Sequence, residues 1–128
     1  MNKPLKAVVV DDDANMRSLV MSLLEAQGVI VVAEGEDGGD AAILYDQHHP
    51  DFMLLDYHMP TMSGLDALNQ VMNAGSDRIV IMLSSVPGPR NSVVDDCLVA
   101  GAMDWIRKDL GPQEMEAQLQ GTLAKLFG

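Results

Sequence analysis

The sequence predicts a three-layer α/β domain, (βα) repeated five times, with one parallel five-stranded sheet covered by helices on both faces. Five short apolar runs, the first two rich in β-branched residues, alternate with five segments that read as helices, and only a few residues join each to the next. Strands that alternate with helices are joined by right-handed crossovers and lie parallel. Parallel strands are buried on both faces, which is why these runs are continuously apolar rather than alternating. The 128 residues contain no linker, no low-complexity stretch and no repeat beyond the βα unit, so a single domain is expected over residues 1–128, with no effector domain.

Residues 5–10 (LKAVVV) are the first strand. An acidic cluster follows, then a helix over residues 15–27 with Met16, Leu19, Val20, Leu23 and Leu24 on one side, stopped at Gly28. Residues 29–33 are the second strand and 34–39 a Gly-rich turn. The second helix covers 40–49 and is closed by Pro50. Residues 52–55 (FMLL) are the third strand, 56–63 a loop with Pro60, and 64–73 the third helix. After a turn at 74–77 comes the fourth strand, 79–83 (IVIML), and a loop at 84–90 carrying Pro87-Gly88-Pro89. Residues 91–100 are a short helix, 103–107 the fifth strand around Trp105, and 112–127 the closing helix. Pro112 stands in its first turn, where a missing N–H does no harm.

Eight Lys and Arg against nineteen Asp and Glu give a net charge of −11. So acidic a chain repels phosphate backbones and anionic lipid heads, so no direct nucleic-acid or membrane partner is expected. Cys97 stands alone, which excludes an internal disulfide. No apolar run is long enough to span a bilayer and the N-terminus has no signal-peptide pattern, so a cytoplasmic location is expected.

In open parallel sheets the site lies beyond the carboxyl ends of the strands. After the first strand come Asp11, Asp12 and Asp13; after the third, Asp56; after the fourth, Ser84 and Ser85; after the fifth, Lys108. Wet loops explain any one polar residue there, but poorly explain this division into carboxylates, hydroxyls and one cation. If Asp11, Asp12 and Asp56 converge to about 5 Å, each pair repels by about 3 kcal/mol at an effective dielectric near 20, and three pairs approach ~10 kcal/mol. Folding stabilities are ~5–15 kcal/mol, so the carboxylates take up protons or hold a cation. Mg²⁺ (or Mn²⁺) suits a few carboxylates and water, and with Lys108 it turns the pocket toward a phosphoryl group. The expected chemistry is phosphoryl transfer to a carboxylate, with Lys108 and Ser84 on the phosphoryl oxygens.

Asp11-Asp12 after VVV, the segment Asp56-Tyr57-His58-Met59-Pro60 with Gly64, Ser84-Ser85, and Gly101-Ala102 with Trp105-Ile106-Arg107-Lys108 together resemble a response-regulator receiver domain (CheY-like). The resemblance runs over essentially the whole chain, in order. It implies the flavodoxin-like strand order 2-1-3-4-5 with the site at the first and third strands. It also implies that Asp56 is the phosphoacceptor, taking its group from a sensor histidine kinase or histidine phosphotransfer protein. Asp12, Asp56 and the His58 carbonyl would ligate Mg²⁺, with Asp11 acting largely through water. Ser84, Lys108 and the backbone N–H groups of Tyr57 and Ser85 would bind the phosphoryl oxygens, and Trp105 would reorient with Ser84. The receiver would be a switch catalysing only its own phosphorylation and dephosphorylation. It would signal by protein contact through the fourth helix, fifth strand and fifth helix, including Arg90, Trp105 and Leu110.

Four positions depart from the family pattern. Asp109 replaces the common proline after Lys108, leaving a cis peptide there open. The 84–90 loop is about two residues longer than usual and stiffened by two prolines, which suggests little change in amide exchange over 86–94 on activation. Trp105 is bulkier than the usual Tyr or Phe, and His58 occupies a position that tunes phosphoryl lifetime. Other residues have ordinary expectations: Asp13 caps the first helix, His48 and His49 are a surface pair, and Asp95-Asp96 are solvated. Met16, Met53, Met82 and Met103 fall on apolar faces, and Cys97 is packed rather than reactive.

The chief rival is a haloacid-dehalogenase-like phosphatase with Asp11 as nucleophile in Asp11-x-Asp13. It leaves Asp56 without a role, lacks an evident second Asp pair after Lys108, and needs more chain for a substrate cap. Flavodoxin-type FMN binding needs a hydroxyl- and Gly-rich phosphate loop where Asp11-Asp12-Asp13 stand. A degenerate receiver would lack part of the site, and no part is missing from this sequence.

Overall fold

The computed structural model describes residues 3–85 and 92–128. Five strands, β1 (Lys6–Val10), β2 (Ile30–Gly35), β3 (Phe52–Asp56), β4 (Val80–Ser84) and β5 (Asp104–Arg107), alternate with α1 (Ala14–Ala26), α2 (Ala41–His48), α3 (Gly64–Ala74), α4 (Ser92–Ala100) and α5 (Pro112–Phe127). The sheet has the order β2-β1-β3-β4-β5 and its pairs are parallel.

Alternation along each strand divides the core in two. Ala7, Val9, Phe52, Leu54, Ile81, Leu83 and Ile106 face Val20 and Leu24 of α1 and Met115 and Leu119 of α5. Val8, Val10, Met53, Leu55, Val80 and Met82 face Ala41 and Tyr45 of α2, Leu68 and Val71 of α3 and Cys97 of α4. Each fully buried large side chain contributes roughly 1.5–3 kcal/mol, so the apolar runs stabilise both layers at once. Because β1 sits between β2 and β3, the chain leaves it toward one edge of the sheet and returns past it toward the other. That reversal opens a crevice beyond the carboxyl ends of β1 and β3.

Most elements end within a residue or two of their predicted bounds, and α5 matches at both ends. The largest difference is β2, which runs to Gly35 instead of ending at Ala33. Its register steps once between Ala7 and Val8, and Glu34 and Gly35 then pair with Val9 and Val10. The remainder of the predicted turn contains a 3-10 turn at Gly38–Asp40. Asp13 caps α1 as expected, accepting from the N–H groups of Asn15 and Met16. His49 lies outside α2 at φ 45°, the left-handed conformation that ends the helix, and both histidines are exposed. Met103 is 48% exposed, so its expected apolar face is corrected: it precedes β5 rather than alternating within it. Cys97 is buried, which pushes its thiol pKa up to about 11. No cis peptide occurs among the described residues, so Lys108–Asp109 is trans. Arg90 and most of the predicted stiff 84–90 loop lie outside the described residues.

Candidate functional site

Four strands deliver polar side chains to the crevice, three of them charged. Asp11 follows β1, Asp56 is the last residue of β3, Ser84 the last of β4, and Lys108 follows β5. Asp11 is 0% and Asp56 1% exposed, and Ser84 is also buried. The Lys108 side chain is 13% exposed, with Nζ 3.0 Å from Asp11 Oδ2 and 3.2 Å from Asp56 Oδ1. Asp12 is exposed at the mouth. One carboxylate oxygen from each of Asp11, Asp12 and Asp56 lies within 4.8 Å of the other two. The structure thus brings together all three acids and the lysine singled out from the sequence.

The two buried carboxylates are not equivalent. Asp11 Oδ1 accepts from the Asp13 N–H at 2.9 Å, and its Oδ2 has the Lys108 ammonium. Asp56 Oδ1 has Lys108 and the His58 N–H at 3.3 Å, while its buried Oδ2 accepts no hydrogen bond. Burial, and next the negative charge of Asp11, push the Asp56 carboxyl up to about 7 against the opposing pull of Lys108. Burial acts to lower the Lys108 pKa, but Asp11 and Asp56 outweigh it and hold the ammonium above its ordinary value.

Gly64 sets how closely α3 approaches this site. Its N–H donates to the Tyr57 carbonyl at 2.7 Å, and a Cβ there would lie 2.4 Å from both the Asp56 carbonyl oxygen and the Tyr57 Cα. Glycine is needed for close approach and not for a left-handed turn.

One expected donor is corrected. The Tyr57 N–H donates to the Leu83 carbonyl at 2.9 Å as part of the sheet, so it is not available to a phosphoryl group. The neighbouring His58 N–H is the one directed at Asp56. Tyr57 packs its ring edge-on to His58, with centroids 5.0 Å apart. Trp105 is half-buried against the α2–α4 layer. Beside it is a cavity of only about 10 Å³ lined by Tyr57, Met82, Ser84, Cys97 and Asp104, among others. An indole is far larger, so inward rotation of Trp105 requires the wall, including α4, to move.

Two roles are not legible in the sequence, that of Arg17 and the packing role of Gly64. Arg17 donates to the Asp11 carbonyl and to Glu34, and Gly64 admits the loop after Asp56. Arg17 carries no signal in the sequence, because its Glu34 partner lies 17 residues away on another element. Gly64 belongs to the motif that carries the family resemblance, but its packing role depends on where α3 docks.

With this geometry in view, likeness to known proteins decides the family. The model of the response regulator receiver domain family matches residues 7–120. The chain belongs to that family. The receiver is 34% identical over 118 residues to chemotaxis protein CheY of Bacillus subtilis, covering 92% of this chain and 97% of that one. It is 37% identical over 112 residues to a protein-glutamate methylesterase/protein-glutamine glutaminase of Haloarcula marismortui, covering 88% of this chain but 30% of that protein. Among solved structures, the response regulator domain of Thermotoga maritima CheB superposes with a TM-score of 0.87 at 27% identity, covering 96% of each chain. CheY in the CheX-CheY-BeF3-Mg²⁺ complex of Borrelia burgdorferi gives 0.87 at 28% identity, covering 98% of this chain and 90% of that one. The receiver is accordingly a signalling domain of the two-component type. Among its described residues, no helix is long and apolar enough to cross a membrane.

The acidic pocket fits the divalent ion that receivers use. It offers hard oxygen donors from three carboxylates, and one of them, Asp56 Oδ2, is buried without a hydrogen-bond donor.

Proposed function

We propose that this receiver is a phosphorylation-activated switch in which Asp56 accepts a phosphoryl group from the phosphohistidine of a sensor histidine kinase or histidine phosphotransfer protein. The observation that carries the reading is Asp56 Oδ2: a buried carboxylate oxygen with no hydrogen bond, on a residue already oriented through its other oxygen by Lys108 and the His58 N–H, whereas Asp11 Oδ2, also without a hydrogen bond, lies 3.0 Å from the Lys108 ammonium. Asp11 is less suited to attack, because a backbone N–H and the lysine occupy its two oxygens. This observation also weighs against the dehalogenase-like alternative.

In the transfer, Asp56 Oδ2 forms a bond to phosphorus as the P–N bond to the donor imidazole breaks, and the imidazole keeps the released electron pair. Lys108 neutralises a phosphoryl oxygen, and Ser84, with the Ser85 and His58 N–H groups, donates to the others. Asp12 and Asp56, with the His58 carbonyl and Asp11, would hold Mg²⁺ or Mn²⁺. When bound, the ion would supply positive charge to the phosphoryl oxygens. Similarity to the Borrelia CheY, whose complex carries BeF3 and Mg²⁺, supports this assignment. Drawing Ser84 toward the new group changes the wall of the cavity beside Trp105. The altered face of α4, β5 and α5 then binds a downstream protein target.

Incubation with Mg²⁺ and a small phosphodonor, followed by Trp105 fluorescence and by mass, tests the reading. Wild type should gain one phosphoryl group and change its emission, and Asp56→Asn should do neither. Stable labelling that survives Asp56→Asn, or is lost only in Asp11→Asn, would move the nucleophile to Asp11.

A further inference from the structure

We infer that Arg17 is a positioning residue for the acidic pocket: its guanidinium ties the main chain at Asp11 to Glu34 of β2 and so holds the turn that carries Asp11 and Asp12. This rests on the reading of the pocket as a divalent-cation and phosphoryl site. Arg17 Nη1 donates to the Asp11 carbonyl at 2.7 Å, and Nε donates to Glu34 Oε1 at 2.6 Å. Its side chain is 14% exposed, so the contacts form where water competes weakly. The guanidinium is planar and its donors are fixed relative to one another, so two acceptors on different elements define its place.

The consequence concerns Asp12. The carbonyl that Arg17 holds belongs to the peptide between Asp11 and Asp12. On the other side of Asp11, its N–H donates to the Gly35 carbonyl at 3.0 Å. Asp11 is thus pinned to the end of β2 twice, directly through Gly35 and through Arg17 to Glu34. Asp12 lies between β1 and α1, in neither, so the turn itself aims its carboxylate toward Asp56. The Asp13 N–H bond to Asp11 Oδ1 completes the same turn. Arg17 approaches no pocket carboxylate in a hydrogen bond; it acts through the main chain.

A positioning role and a bare charge effect have opposite signs. A guanidinium near a cation site repels the cation, so charge alone makes its removal tighten Mg²⁺ binding. Loss of positioning weakens it, and residues that orient metal ligands typically change affinity by roughly 10–100-fold.

The experiment is calorimetric Mg²⁺ titration of the full chain, with Mn²⁺ paramagnetic resonance as a second readout, for wild type, Arg17→Met, Arg17→Lys, Glu34→Gln and Asp12→Asn. Arg17→Met should weaken Mg²⁺ binding about tenfold or more. Arg17→Lys should also weaken it, because one ammonium cannot reproduce the fork although it keeps the charge. Glu34→Gln should fall between, and adding it to Arg17→Met should cost little more. Amide exchange at Asp13 should quicken in both Arg17 variants. If Arg17→Met does not fold, Arg17→Lys and Glu34→Gln carry the same test. Tighter binding in Arg17→Met, wild-type affinity in Arg17→Lys, or unchanged affinity in all these variants while Asp12→Asn loses the ion would overturn the inference. Mg²⁺ binding that Asp12→Asn leaves intact would overturn the reading of the pocket, and this inference with it.

Discussion

Asp56 and Asp11 stand at the ends of neighbouring strands with almost no exposure, and the Lys108 ammonium is shared between them. Burial and the nearby Asp11 charge push the Asp56 carboxyl up to about 7, well above an ordinary aspartate. A carboxyl raised in the folded state stabilises the fold below its unfolded value near 3.8, and that contribution is lost as pH rises through about 7. The metal-free protein should therefore lose stability progressively from about pH 4 to about pH 7 and change little above that, as denaturant melts would record. Asp56→Asn should abolish most of that loss and stabilise the metal-free protein by about 2 kcal/mol at pH 8, because it removes a buried charge while keeping the shape. Mg²⁺ requires the ionised carboxylate, so its affinity should rise over the same interval, with proton release detectable by calorimetry in buffers of different ionisation enthalpy. Equal pH profiles for wild type and Asp56→Asn would contradict this. Asp104 shows the opposite balance: burial raises its pKa, but Lys125, Thr122 and the Trp105 N–H outweigh it and hold the carboxyl below its usual range.

At the scale of elements, two helical glycines separate packing from propensity. Gly64 begins α3 against the main chain of Asp56 and Tyr57, where an added methyl would overlap backbone atoms. Gly121 lies within α5, and a Cβ there meets nothing within 4 Å. Gly64→Ala should destabilise by about 3 kcal/mol and slow phosphorylation, because α3 and the loop after Asp56 must part. Gly121→Ala should stabilise by about 0.5–1 kcal/mol and leave phosphorylation unchanged. Thermal melts with a labelling time course compare both variants, and a neutral Gly64→Ala would remove the close-packing argument. The elements themselves were legible because each layer of the core writes a period into the chain: continuous runs for strands buried on both faces, helical spacing for their covers. The end of β2 was not legible, since Glu34 and Gly35 are poor strand formers that extend it only by pairing with Val9 and Val10. Nor was the direction of the Tyr57 and His58 N–H groups, which depends on the register of β3 against β4.

For the whole molecule, a net charge of −11 is concentrated in part at the crevice, where three carboxylates surround one lysine. A ligand bound by the folded state and not by the unfolded chain raises stability by mass action. Mg²⁺ at a hundred times its dissociation constant should add about 2.7 kcal/mol. NaCl of matched ionic strength should add less, because screening acts on all charges weakly while Mg²⁺ acts at one place. Asp12→Asn should largely erase the difference between the two salts in a thermal melt. Equal stabilisation of wild type by both would mean that the pocket holds no specific ion.

By itself the amino-acid sequence determined the layer architecture and the kinds of groups meeting at the site. Apolar periodicity and the residue that follows each strand are local properties, and Asp11, Asp12, Asp56, Ser84 and Lys108 are all read that way. Only the tertiary structure decided which oxygen of each buried carboxylate Lys108 pairs with, that the His58 N–H rather than that of Tyr57 turns to the site, and that Arg17 spans from Asp11 to Glu34. Those outcomes depend on register, docking distance and bond direction between residues far apart in the chain, and each is set by how the packed layers meet.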